Sequence, residues 1–191
     1  MKICFATNNK NKLKEIKQAL GDSHEILSLK DINCLEELAE TQETIEGNSL
    51  QKAQYVFDNY NVACFADDTG LEINALNGEP GVYSARYAGP DCKAEDNMAM
   101  VLDKLSGISD RQARFKTVIT LIDDNGNQTQ FEGIANGEIT STKSGADGFG
   151  YDPIFKPEGC DVTFAEISME EKNNISHRGK AVRKLLAFLR K

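Results

Sequence analysis

The 191-residue sequence predicts an α/β fold, a mixed sheet with flanking helices. Three observations point there. Ile3-Cys4-Phe5-Ala6 is a short apolar run followed by a polar loop and then by Leu13, Ile16 and Leu20 at helical spacing, a strand, loop, helix opening. The stretch from Asn48 to Ala66 repeats this unit in the opposite order, helix then strand. Asp124-Asn125-Gly126-Asn127, between two apolar runs, is the strongest hairpin signal in the chain and adds an antiparallel pair to the sheet.

The remaining elements follow in order. Leu50, Ala53, Phe57 and Tyr60 place a helix over 48–60, which feeds a buried strand around Val62 to Ala66. That strand resembles residues 3–7, which suggests two comparable buried strands; if they lie parallel and adjacent, their polar C-terminal ends, Thr7 to Lys12 and Asp67 to Thr69, emerge on one edge. Open α/β sheets place ligands at such an edge. Beyond Gly70 the composition turns β-rich through Leu71 to Leu76, a turn at residues 77–81, and Val82 to Tyr87. Met98, Val101 and Leu105 predict a helix over 94–105, and the hairpin strands cover 113–122 and 128–135. Ser168-Met169-Glu170-Glu171 fits a capping box, and Val182, Leu185, Leu186 and Leu189 form the apolar stripe of a basic C-terminal helix expected to pack on the sheet.

Length and a 40% hydrophobic composition fit one domain with a substantial core, with room for two lobes. No apolar run approaches the roughly 20 residues that span a bilayer, and Met1 to Ala6 does not read as a signal peptide, so a soluble, cytoplasmic protein is expected. Five cysteines without CxxC spacing read as reduced thiols, and only His24 and His177 are available as imidazole ligands, which disfavours zinc. A net charge of −8 argues against a nucleic-acid polymer as partner.

Ala66-Asp67-Asp68-Thr69-Gly70 carries the clearest chemistry. Two carboxylates at the end of an apolar strand are costly to desolvate and call for water, a cation or strong donors. They read as a metal and water-activating pair, or as the start of a turn. Thr7-Asn8-Asn9-Lys10-Asn11-Lys12 joins a strand to a helix and can cradle phosphate, or can cap the helix with Asn9 or Asn11. It contains neither a Walker A nor a GxGxxG pattern. The glutamates at 36, 37, 40, 43 and 46 form a solvated acidic run from which one residue could complete a magnesium site. Residues 145–155 combine glycines with Phe149 and Tyr151, either to stack a flat ring or to fill the core. Ser176-His177-Arg178-Gly179 groups donors able to read carbonyl oxygens.

Taken together, TNNKNK (7–12), the glutamate before Thr41, ADDTG (66–70), PGVYSARYAG (80–89), FGYDPIF (149–155) and EEKNNISHRGKA (170–181) resemble the inosine/xanthosine triphosphate pyrophosphatase family over nearly the whole chain. The resemblance implies a single nucleoside triphosphate pyrophosphatase domain over residues 1–191, elongated, with two lobes around a central substrate cleft, usually a homodimer. It implies Mg²⁺-dependent hydrolysis of ITP, dITP and XTP to the monophosphate and pyrophosphate. By motif matching, Glu40 and Asp68 hold the metal and Asp68 is also the proton acceptor. Thr7, Asn8, Asn9, Lys10, Asn11 and Lys12 bind the triphosphate, and Lys52 and Thr69 lie on the substrate side. Phe149, Gly150, Tyr151, Asp152, Lys172, His177 and Arg178 hold and read the base. Asn8 stands where the family commonly has glycine, and a positive φ there is tolerable for asparagine.

Hypoxanthine and xanthine offer an acceptor oxygen at C6 where adenine offers a donor, so donors from His177 and Arg178 suit the former. Two other classes compete. An aspartyl-nucleophile phosphatase needs Asp-x-Asp-x-Thr, which the adjacent carboxylates break. A nucleotide sensor without hydrolysis gains nothing from carboxylates beside a triphosphate unless a cation intervenes.

Overall fold

A computed structural model describes residues 2–20 and 25–190, with the side chains of residues 19 and 20 outside the description; Leu20 of the first apolar stripe and His24 therefore carry no structural account. Seven strands and five α-helices are described: β1 (Lys2–Phe5), α1 (Lys10–Leu20), β2 (Glu25–Leu27), α2 (Ile45–Tyr60), β3 (Cys64–Ile73), β4 (Pro80–Gly81), α3 (Ala94–Lys104), β5 (Gln112–Ile122), β6 (Gln128–Ile139), β7 (Phe155–Pro157), α4 (Met169–Ile175) and α5 (His177–Leu189). Hydrogen-bonded neighbours follow the order β2-β1-β3-β5-β6-β7, with β4 on β3. Parallel and antiparallel pairs coexist, as the α/β reading expects. The chain divides into two compact units. The first holds residues 1–68, 117–133 and 178–191, and the second holds 69–116 and 134–177.

In the first unit β1 pairs in parallel with β2 and with β3, in register Cys4↔Cys64 and Phe5↔Phe65. The two similar apolar runs are therefore parallel neighbours. Strand alternation sorts their side chains onto two faces. Ile3, Phe5 and Phe65 pack with Ile16 of α1 and Ala181, Val182, Leu185 and Leu186 of α5. The Phe5 and Phe65 rings stack at 4.7 Å. Cys4, Ala6, Cys64 and Ala66 instead pack with Ala53 and Val56 of α2. The hairpin predicted at 124–127 joins β5 to β6, its turn held by Asp123 Oδ1, which accepts the amides of Asn125 and Asn127, both at 2.9 Å.

In the second unit Leu71 and Ile73 of β3 bury against Met98, Val101 and Leu105 of α3 and against Phe115, Phe155 and Phe164. β6 and β7 pair antiparallel at Gly137↔Pro157, where a Cβ would sit 2.3 Å from the Lys156 carbonyl oxygen. Only glycine admits that approach. The capping box at Ser168 and Glu171 starts α4 as predicted.

Three boundaries differ from expectation. α2 begins at Ile45 rather than Asn48, because Thr44 accepts the Gly47 amide and caps the helix one turn earlier. Val82 to Tyr87 is not extended. Ser84 takes the Leu71 amide and donates to the Gly81 carbonyl, and a 3-10 turn runs over Ser84–Arg86. Most consequential, the apolar strand does not stop at Asp67. β3 runs unbroken to Ile73, which excludes a turn at Asp-Asp-Thr-Gly.

Candidate active site

Because β3 continues through Asp67 and Asp68, the two carboxylates obey the same alternation as the residues before them. Asp67 follows Phe65 onto the α1 and α5 face, and Asp68 follows Ala66 onto the α2 face. The pair is thus two separate environments rather than one shared site.

Asp67 is fully buried. Its Oδ2 lies 3.1 Å from Lys12 Nζ and accepts Arg178 Nε at 3.3 Å, while Arg178 Nη1 donates to Glu15. α1 supplies Lys12 and Glu15 three residues apart on one face, and α5 supplies Arg178 from its first turn. Burial would raise the Asp67 carboxyl, but Lys12, Arg178 and Lys52 outweigh it and hold the group far below the usual carboxylate range. Burial lowers the Lys12 ammonium, with Asp67 opposing.

Asp68, on the other face, has its two oxygens divided. Oδ2 accepts Asn48 Nδ2 at 3.2 Å and Oδ1 faces Lys52 Nζ at 3.9 Å. Lys52 also donates to Glu40 and, at 2.8 Å, to the Asp67 carbonyl. Burial raises the Asp68 carboxyl above its ordinary value, against the opposing pull of Lys52 and Lys12. Burial alone would lower Lys52, yet Glu40, Asp68 and Asp67 together carry it above its ordinary value. Glu40 and Asp68 are therefore an oxygen-only donor pair converging on one cation, here an ammonium. Two carboxylates suit a hard divalent ion that keeps its own waters and substrate phosphates. Among the described residues no group of three or more His, Cys, Asp or Glu side chains is arranged to hold a metal ion.

The 7–12 loop enters the same unit. Asn9 Oδ1 accepts the Asn11 amide at 2.9 Å and the Lys12 amide at 3.2 Å, so Asn9 caps α1 and occupies two amides that could have faced phosphate. Thr7 Oγ1 accepts the Asn9 amide, and Asn8 Nδ2 donates to the Glu36 carbonyl. Among the described residues the non-glycine positive φ values belong to Asn33, Asn61, Asn77 and Cys92, so Asn8 fills the glycine position without a left-handed backbone. Asn8, Asn9, Lys10 and Asn11 are exposed.

The second unit holds Phe149, Gly150, Tyr151, Asp152, Lys172 and His177, together with Thr69, half-buried on β3. Asp152 Oδ2 accepts Lys172 Nζ at 2.7 Å and the Phe149 amide at 2.8 Å, with Lys172 Nζ 4.8 Å from the centre of the Phe149 ring. Gly148, at φ +77°, leaves room for that carboxylate, since a Cβ there would come within 2.2 Å of Asp152 Oδ2. Tyr151 is buried and its hydroxyl donates to the Ser84 carbonyl at 2.7 Å. The His177 ring stacks on Phe115, centroids 4.5 Å apart. Phe149 is thus a half-buried ring beside a cation, whereas Tyr151 is built into the core.

Glu15, Asn48 and Ser84 escaped the sequence reading. Asn48 did carry a signal, lying one turn before Lys52 on α2, but polar residues on a helix are ordinarily solvated. Only burial separates it from that background.

A sequence model of the Ham1 family matches residues 3–188. The Flavobacterium johnsoniae protein named dITP/XTP pyrophosphatase is 60% identical over 189 residues, covering 99% of this chain and 98% of its own. The Porphyromonas gingivalis protein of the same name is 50% identical, covering 98% and 97%. The solved structure of the Staphylococcus aureus Ham1 protein superposes with a TM-score of 0.91 at 39% identity, over 100% of this chain and 98% of that one.

Proposed function

The chain belongs to the Ham1 family, and from that premise we propose that it hydrolyses ITP, dITP and XTP to the monophosphate and pyrophosphate, clearing deaminated purine nucleotides from the pool. Water attacks the α-phosphorus. A bond forms from the water oxygen to phosphorus, the bond from phosphorus to the pyrophosphate oxygen breaks, and the water proton passes to Asp68. The observation that carries this assignment is the Asp68 carboxylate itself, buried at the end of the apolar run with Asn48 Nδ2 on one oxygen and Lys52, the cation that also engages Glu40, facing the other.

Lys12 and Lys52, with Lys10 and the 7–11 loop, offset charge that builds on the leaving pyrophosphate, the electrostatic stabilisation phosphoryl transfer chiefly needs. Mg²⁺ held by Glu40 and Asp68 would supply further neutralisation of the phosphate oxygens. On the second unit Phe149 offers a face for the base and Asp152 fixes Lys172 beside it, with Gly150, Tyr151 and His177 completing the set and Thr69 on the substrate side. Arg178 serves by holding Asp67 charged, a reading that draws on its contacts with Asp67 and Glu15.

The family resemblance extends the proposal to a homodimer acting in the cytoplasm, which sedimentation and cell fractionation test. No helix among the described residues is long and apolar enough to cross a membrane. The deciding experiment incubates the protein with dITP, XTP, GTP and ATP, with and without Mg²⁺, and resolves the products. Pyrophosphate released from dITP and XTP in preference to GTP and ATP is expected. Orthophosphate as first product, or intact dITP after prolonged incubation, overturns the proposal.

A further inference from the structure

We propose that Asn48 is a positioning residue for Asp68 and ties that carboxylate to the segment carrying Glu40; the inference rests on Asp68 being the proton acceptor. Asn48 is fully buried on α2. Its Oδ1 accepts the Gln42 amide at 2.9 Å, and its Nδ2 donates to Asp68 Oδ2 at 3.2 Å. The orientation of the amide is not arbitrary. The Gln42 backbone N–H can only donate, so the carbonyl end of Asn48 must face it and the NH₂ end must face the carboxylate.

One short side chain therefore bridges the two segments that bear Glu40 and Asp68, Gln42 lying two residues beyond Glu40. Holding Oδ2 fixes the plane of the Asp68 carboxylate and turns Oδ1 towards Lys52, the cation that also engages Glu40. The neighbouring Gln51 clamps the same segment by a different route. Its Oε1 accepts the Thr41 amide at 3.0 Å and its Nε2 donates to Thr41 Oγ1 at 2.9 Å. Gln51 holds the loop without the link to Asp68, and this difference separates positioning from simple support.

The test compares Asn48→Asp, which keeps an acceptor for the Gln42 amide but loses the donor, Asn48→Leu, which loses both, and Gln51→Ala. With saturating Mg²⁺ and dITP, both Asn48 variants are expected to lose about 10- to 100-fold in kcat, as outer partners of ligating groups typically do, with KM within about threefold. Gln51→Ala is expected to keep kcat within about threefold of the parent. In the nucleotide-free chain, Mn²⁺ affinity read by electron paramagnetic resonance should weaken in Asn48→Leu and not in Gln51→Ala.

Unchanged kcat in Asn48→Asp, a proportionate rise in KM, or an equal loss in Gln51→Ala overturns the proposal, and if Asn48→Leu does not fold, Asn48→Asp decides. Should the parent protein release no pyrophosphate, the functional reading fails on its own account. The Mn²⁺ comparison then still decides whether Asn48 orders the carboxylates, unchanged affinity in Asn48→Leu overturning it.

Discussion

Asp67 and Asp68 are adjacent in the chain and face opposite sides of β3, Asp67 against Lys12 and Arg178, Asp68 against Asn48 and Lys52. The two substitutions should therefore fail differently. Asp68→Asn removes the proton acceptor and should cut kcat by at least about 100-fold while the fold persists. Asp67→Asn removes the buried carboxylate that faces Lys12 and Arg178, leaving Arg178 its bond to Glu15, and should cost about 3–5 kcal/mol of stability in urea unfolding. Near-normal turnover in Asp68→Asn would remove Asp68 from the mechanism.

Lys52 bridges Glu40 and Asp68 as a cation would, so it competes with a divalent ion for the same carboxylates. Lys52→Met should tighten Mn²⁺ binding to the nucleotide-free chain by about threefold or more, since a like charge at close range has gone. Its kcat should nonetheless fall by about 100-fold for want of charge on the leaving group. Weaker Mn²⁺ binding in this variant would show that no competition exists.

Tyr151 anchors the 149–152 loop through its hydroxyl on the Ser84 carbonyl, which Asn97 Nδ2 also approaches at 3.4 Å. Tyr151→Phe keeps the ring and loses the tie, at about 1 kcal/mol of stability. KM for dITP should rise with kcat held. A variant identical to the parent in both measurements would mean that the tie is idle.

The acid limb of stability should carry the mark of two surface carboxylates. Asp123 is held below its usual range by the Asn127 side chain and amide, and Glu171 by the Ser168 hydroxyl and amide. Both folded values lie below the unfolded ones, so their contribution is complete above about pH 4–4.5 and is lost as pH falls below that range and through the lower folded values. Urea midpoints measured from pH 7 to 3 should drop less steeply for Asp123→Asn than for the parent, and parallel curves would contradict the assignment.

Thiol reactivity follows burial. Cys4 and Cys64 are buried and pushed up to about 12, Cys34 is buried and raised, and Cys92 is exposed. A disulfide reagent at pH 8 should titrate Cys92 first and the half-buried Cys160 more slowly, reaching the other three only on unfolding. Rapid reaction of all five in the native protein would refute this burial pattern.

Periodicity alone carried the elements that bury one apolar face. The 124–127 hairpin, the Ser168 capping box and the stripe of α5 were legible, because each is specified by residues within a dozen positions of one another. The likeness of two distant apolar runs marked β1 and β3 as comparable buried strands, while their pairing was settled by the packed chain. Motif order carried the family. The fate of Asp67 and Asp68 was not legible. Local chemistry offered a turn or a catalytic pair, and the choice between them fell to Lys12, Arg178, Asn48 and Lys52, which arrive from three other elements and make a charged strand interior affordable. The same holds for Asn48 and Tyr151. Whether a polar side chain is solvated or holds a buried partner depends on what folds against it, and burial is a property of the packed chain rather than of any one segment.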